Sequence, residues 1–452
     1  MVRQAEAEEF LLKHLTKISS DFKCAIGLII GQANAHKFNV VHLARTPTSD
    51  SNDDQTPPNH IASIVEVNQA WVVDHARQTL RMLSGGMYVL GVFVVGDEEI
   101  FNPFHPKIKS ILTGINKTLQ ADKYLFGGDF SEKLVLSFAP KSQRWAARAY
   151  DVASANVQPV DWKFLPKATK FIVFECTYQI QHVYHLKTGE ADGPLKSHVK
   201  AILDDIEHNL QSAVLLFDND LKDADEKLEN VGKKKKTPRT NSSKSAPEQA
   251  EAPAKPVAVS IFEKCVRLAL KPLNSLHQAE FEGDIRVEGE VISKLWLNPK
   301  GTFGEAMQAV REDIMRSLAT RMELHWDSLI EEELREDVNS VHEPPRRALI
   351  ALPDSNVGVS DYLFSGEAPE DAKFSLQELF GVKTDDSLEV LDLEAQADIA
   401  LLYDANATAH EADQVDSKSA SDSSKFMYIL GLVAAIIILF VSIFVHFYLK
   451  YV

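Results

Sequence analysis

Apolar and polar positions in the first half of the chain switch between a period of two and a period of about 3.6. Residues 24–30 (CAIGLII) and 38–44 (FNVVHLA) are short apolar runs around a loop with Gly31, Asn34 and His36, which predicts a β-hairpin. A polar, proline-bearing stretch over 45–64 reads as a long loop. Trp71, His75, Ala76, Leu80 and Leu83 then recur on one helical face, and Gly85-Gly86 ends that helix. Residues 87–95 (MYVLGVFVV) are apolar throughout, the pattern of a strand covered on both faces. A second helix is predicted over 106–119, with Ile108, Ile111, Leu112, Ile115 and Leu119 as its stripe. Strands fit 133–138, 145–152 and 171–185. A third helix fits 196–216, with Val199, Ile202, Leu203, Ile206 and Leu210 inward. Residues 1–217 therefore predict one mixed α/β domain.

Residues 218–256 contain no aromatic residue and few apolar ones, so they cannot bury enough surface to order and predict a disordered linker. The Lys233–Lys236 run inside them reads as solvated rather than as a nucleic-acid patch. Beyond it, Ile285, Val287, Gly289, Val291, Leu295 and Leu297 keep strict alternation with Arg286, Glu288, Glu290 and Lys294, a half-exposed strand. Thr302 and Glu305 form a capping box ahead of Met307, Val310, Ile314, Leu318 and Met322, one face of a long helix. Residues 347–353 (RALIALP) predict another strand, and Val266 to Leu270 a possible partner strand. The expectation is a smaller α+β module over 257–403. An acidic, serine-rich stretch over 404–425 predicts a flexible tether.

Residues 426–449, from Phe426 to Leu449, hold no Asp, Glu, Lys or Arg and are flanked by Lys425 and Lys450. At about 1.5 Å per residue they span about 36 Å as a helix, enough for a ~30 Å hydrocarbon core. A tail-anchored, single-pass membrane protein with its N-terminal part in the cytosol is predicted, with the lipid bilayer as one partner. Gly431 and Ala435 are four residues apart and mark a possible helix-contact face. The start, MVRQAEAEEFLLKHL, has no signal-peptide pattern. Three scattered cysteines, Cys24, Cys176 and Cys265, form no disulfide framework and suit a reducing compartment. A net charge of −17 argues against a nucleic-acid partner.

No hydrolase, P-loop, zinc-protease or dinucleotide motif occurs. His182 and His185 are three apart in a predicted strand, so they point to opposite faces and make no metal pair. No catalytic residue, metal or cofactor is expected. The order of strand GLIIG, long loop, helix and strand VLGVF resembles the MPN/JAMM metalloprotease fold. That resemblance implies two zinc-binding histidines on the strand after the helix. On Gly91-Val92-Phe93 those positions fall on Val94 and Gly96, which have no side-chain lone pair to offer. A metal-free, MPN-like pseudoenzyme is the implied reading.

Read together, the motifs point further. GLIIGQ from Gly27, ARTP ending at Pro47, WxxDHA from Trp71, RMLxGG from Arg81 and VLGVF from Val89 occur in order, followed by RxYD ending at Asp151, DWK from Asp161 and ECT from Glu175. With the apolar segment, this resembles the odorant-response-abnormal family. The resemblance implies a non-enzymatic adaptor in the endoplasmic-reticulum membrane. Such an adaptor assists folding and trafficking of polytopic receptors, odorant and other G-protein-coupled receptors among them. It also recruits a ubiquitin-fold-modifier protease. A membrane-anchored isopeptidase or other hydrolase, and a purely structural tether, remain open as alternatives.

Overall fold

The computed structural model describes residues 3–34, 37–48, 61–96, 99–125, 131–154, 156–189, 193–230, 255–263, 281–329, 341–384 and 388–394. Strands β1 (Arg3–Glu8), β2 (Ala25–Asn34), β3 (Lys37–Arg45), β4 (Tyr88–Val95), β5 (Glu132–Ala139), β6 (Arg144–Asp151) and β7 (Val157–Leu165) close into a barrel in the order β1-β3-β2-β4-β5-β6-β7. β1 pairs in parallel with both β3 and β7, and so joins the two ends of the sheet. The predicted hairpin is β2 and β3, with a register shift at Ile30/Gly31. Ile29, Phe93, Leu134, Leu136 and Phe138 fill the barrel, together with Leu11, Leu15 and Ile18 of helix α1 (Glu9–Asp21). Ile26, Leu28, Val92 and Val94 face the other way, onto helices α2 (Gln69–Met82) and α3 (His105–Ala121). A sheet lined on both faces explains why 87–95 is apolar without alternation.

The second sheet has the order β10-β9-β11-β8-β12, built from β8 (Ile172–Lys187), β9 (Val214–Phe217), β10 (Asp220–Leu221), β11 (Val257–Phe262) and β12 (Phe281–Leu297). Helices α4 (Leu195–Ser212) and α5 (Phe303–Leu329) pack on it through Ile202, Ile206, Leu210, Val310 and Ile314. A third sheet, β14-β13-β15, combines β13 (Arg346–Ala351), β14 (Gly358–Leu363) and β15 (Val390–Asp392). It shares a core with α6 (Ala372–Phe380) and the outer face of the barrel. The mixed α/β reading holds.

Several finer expectations change. Among the described residues, those of 257–403 do not form a separate module: β11 lies between β9 and β8, and β12 pairs with β8 along its whole length. One compact unit comprises Met1–Leu334 and Pro344–Ala395, and residues 341–343 are the only described part of the other. The composition shift marked an excursion of the chain, while the alternating strand found its partner on the far side of that excursion. The linker also does not begin at residue 218. Backbone hydrogen bonds from Leu228 to Gly301, Phe303 to Glu226 and Gly304 to Ala224 bind residues 224–228 to the start of α5, with Leu228 buried. Those bonds need no apolar side chains, so composition could not announce them. The helix expected over 196–216 ends at Ser212, because Leu215 and Phe217 continue the apolar pattern as strand β9. The Thr302–Glu305 capping box is present, with reciprocal bonds of 3.0 and 3.3 Å. No helix among the described residues is long and apolar enough to cross a membrane. The segment from Phe426 to Leu449, with Gly431 and Ala435, lies outside the described residues, as do the tether and Val266 to Leu270.

Candidate functional site: a buried charge lock and a histidine clamp

Helix α5 is buried on every side over its middle turns, from Glu312 to Arg321, although six of those ten residues are polar or charged. Their partners come from several other parts of the chain. Asp313 meets Arg347 of β13 in a two-pronged pair, Nη1 to Oδ2 at 2.7 Å and Nη2 to Oδ1 at 3.0 Å. Arg347 also donates to Ser360 Oγ and to the Ile292 carbonyl, while Asp313 accepts from the Gly85 backbone N–H at 2.8 Å. Burial alone would push the Asp313 carboxyl up, but the guanidinium charge and its hydrogen bonds hold it below the usual carboxylate range. A second carboxylate, Glu394, accepts from Arg321 at 2.6 Å and from the backbone N–H groups of Ile292 and Arg347. Arg316 donates to the carbonyls of Leu83, Ser84 and Met87, capping the end of α2 with a cation. The Gly85-Gly86 stop read from the sequence is thus the point where α2 docks on α5.

Gly85 is required there by space. A Cβ on it would lie 2.0 Å from the Ala309 carbonyl oxygen, and Gly86 has φ of +77°. Gly85→Ala is expected to destabilise the fold by about 1–3 kcal/mol, the usual range for overpacking. A urea midpoint equal to that of the unaltered chain would show that this junction gives way freely.

The second arrangement holds α6. Its last carbonyls, Leu379 and Phe380, accept from His75 Nε2 at 2.7 Å and His42 Nε2 at 3.0 Å. Thr46 Oγ1 sits 3.1 Å from the other nitrogen of His75. Burial holds each imidazole neutral, lowering both from 6.5 to about 4. Two histidines on β3 and α2 therefore satisfy the orphan C-terminal acceptors of a short helix.

Gly85 of RMLxGG, His75 of WxxDHA and Thr46 of ARTP thus belong to these two arrangements, whereas the positions weighed as metal ligands sit elsewhere. Val94 and Gly96 line a small cavity of about 70 Å³ with Cys24, Ile64 and Ile100. Beside it a hollow of about 350 Å³ is lined by Arg45, Thr46, Thr48, Ile61, Asn68 and Trp71. Among the described residues no group of three or more His, Cys, Asp or Glu side chains is placed to hold a metal ion. His182 points to the α4 side, 3.8 Å from Asp205, while His185 lies on the exposed face of β8, so the pair is split as expected. Cys24 and Cys176 are buried, and burial pushes the Cys176 thiol up to about 12, far from a thiolate nucleophile. Asp313, Arg347 and His42 were not singled out by sequence, and His75 was read only as part of the inward face of α2 and of the WxxDHA motif. Arg347 at the head of an apolar strand was the available signal.

The Odorant response abnormal 4-like family model matches residues 27–389. The mouse protein named odr-4 homolog is 24% identical over 456 residues, covering 96% of each chain. Its human counterpart is 25% identical over 409 residues, 87% of this chain and 86% of that one. The Caenorhabditis elegans odorant response abnormal protein 4 is 23% identical over 362 residues, 78% of this chain and 71% of that one. Among solved structures, UfSP from C. elegans superposes with a TM-score of 0.43 at 9% identity, over 86% of this chain and 58% of that one. The family match runs from β2 past the Asp313–Arg347 pair to the segment after α6, about four fifths of the chain, so the chain belongs to the Odorant response abnormal 4-like family.

Proposed function

We propose that this protein is a non-enzymatic adaptor of the endoplasmic-reticulum membrane. It is anchored by a helix over 426–449, assists folding and trafficking of polytopic odorant and other G-protein-coupled receptors, and brings a ubiquitin-fold-modifier protease to the membrane. The observation that carries the reading is the family match over 27–389, whose name supports a role in protein trafficking and localisation. Two features of the chain favour an adaptor over an enzyme. The buried ionisable groups Asp313, His42 and His75 each hold two parts of the fold together. On the MPN-like reading, Val94 and Gly96 stand where a zinc protease places its imidazoles, and neither carries a ligand atom.

The test compares the full chain with one lacking 426–449. Both should co-purify with the protease, and only the full chain should enrich it on membranes and raise receptor delivery. Replacing the segment by an unrelated endoplasmic-reticulum anchor should preserve recruitment. Failure of receptor delivery with a correctly placed substitute anchor would give the Gly431/Ala435 face a client-reading role. A protease that co-purifies with neither version would end the adaptor reading.

A further inference from the structure

β12 is the edge strand of the second sheet, and its outer edge changes character halfway along. In its second half, side chains occupy the outward backbone groups. Glu394 accepts from the Ile292 N–H, and Arg347 donates to the Ile292 carbonyl. Gln32 donates to the Trp296 carbonyl at 2.7 Å and accepts from the Asn298 N–H at 3.0 Å, as a neighbouring strand would. These contacts show that even-numbered residues turn their backbone groups away from β8. The pairing with β8 continues without a register shift down to Gly283. Strand geometry therefore aims the N–H and C=O groups of Asp284, Arg286, Glu288 and Glu290 outward as well. None of these backbone groups has a hydrogen-bond partner among the described residues. Four residues in a row offer an open ladder.

The side chains say what can fill it. Asp284, Arg286, Glu288 and Glu290 are exposed on one face of β12, while Ile285 and Val287 are half-buried on the other against the second core. Arg286 donates to Asp284, and Glu290 accepts from Gln179 across the ribbon, which leaves the row acidic. Charged edges usually discourage pairing. A row of one dominant sign instead selects, because opposite charges directly across a strand pair stabilise and like charges destabilise. A second copy of this chain, with its net charge of −17, is a poor occupant.

We propose that the Asp284–Glu290 edge is a strand-accepting docking surface for an extended segment of a partner protein that alternates lysine or arginine with apolar residues. The basic side chains would lie opposite Glu288 and Glu290, the acids that Arg286 does not neutralise, and the apolar ones beside Ile285 and Val287. This rests on the adaptor reading and supplies it with a contact surface.

The probe is a labelled octapeptide alternating lysine with valine and threonine, with a glutamate-for-lysine version as control, added to the full chain. The basic peptide should bind, and up to four amides in the 281–297 fragment should exchange more slowly. Glu288→Pro removes an outward N–H but none bonded to β8, and should weaken binding at least tenfold. Glu288→Lys with Glu290→Lys leaves the backbone intact, should weaken the basic peptide at least tenfold and should admit the acidic one. It keeps the test valid if the proline variant folds poorly. Unchanged exchange over 281–297, peptide affinity indifferent to both variants, or self-association through this edge would overturn the proposal. Protease recruitment that survives both variants yet is lost with 426–449 would refute the docking surface and leave the adaptor intact. Peptide docking without any recruitment by the unaltered chain would do the reverse.

Discussion

Asp313→Ala is expected to remove about 3–5 kcal/mol of folding stability, the usual consequence of breaking a buried ion pair on one side. That is a large fraction of the roughly 5–15 kcal/mol by which an ordinary domain is stable. The loss comes from Arg347, which is 2% exposed and would keep its charge with only Ser360 and the Ile292 carbonyl as partners. The Gly85 N–H would lose its acceptor in the same step. Replacing both partners by apolar residues, Asp313→Leu with Arg347→Met, should recover much of the loss, because no charge is then stranded. Urea unfolding followed by tryptophan fluorescence measures all three. A shift for Asp313→Ala no larger than that for the exposed Asp220→Ala would show that the lock contributes little.

Acid should release α6 ahead of the rest. His42 and His75 titrate near 4 in the folded protein against 6.5 outside it, so the folded state favours the neutral rings. Their stabilising effect is complete above pH 6.5 and is lost as pH falls from 6.5 toward 4. At about 1.36 kcal/mol per unit this amounts to roughly 3 kcal/mol for each histidine at the acid end. Amide protection factors in α6 should therefore drop steeply between pH 7 and pH 4.5, while those of the barrel strand β4 change less. The variant His42→Leu with His75→Leu should start less protected at pH 7, its two carbonyls having lost their donors, and should show a flatter pH profile. Equal α6 protection at pH 7 and pH 4.5 in the unaltered chain would refute the clamp.

The legible parts of the fold were those whose burial is one-sided or uniform. The β2–β3 hairpin, β4, the stripes of α2 and α3, and the alternation of β12 all carry a strong period. β1 was missed because its inward residues are Ala5 and Ala7, small side chains among Gln4, Glu6 and Glu8 that give almost no hydrophobic contrast. β7 was missed because Pro159 interrupts it and much of it is exposed. α5 was read as a one-faced helix. Its polar residues look solvent-directed in sequence, and only the fold brings Arg347 and Glu394 to them from 34 and 73 residues away. The histidine clamp was hidden for the same reason, since His42 meets its carbonyl across 338 positions. Periodicity reports which way a residue faces, not what it meets.

The lateness of those partners bears on how the protein is made. During synthesis, β8 must wait for β12, α5 for Arg347 and Glu394, and the barrel's outer face for α6. A nascent chain that has reached residue 340 holds every barrel strand beside a helix whose Asp313 and Arg321 still lack Arg347 and Glu394. Pairings of such wide sequence separation close slowly, and partly built cores of this kind expose apolar surface to chaperones. A chain cut anywhere before β15 is therefore an unfinished molecule, and residues 346–394 act as the seal on everything translated before them.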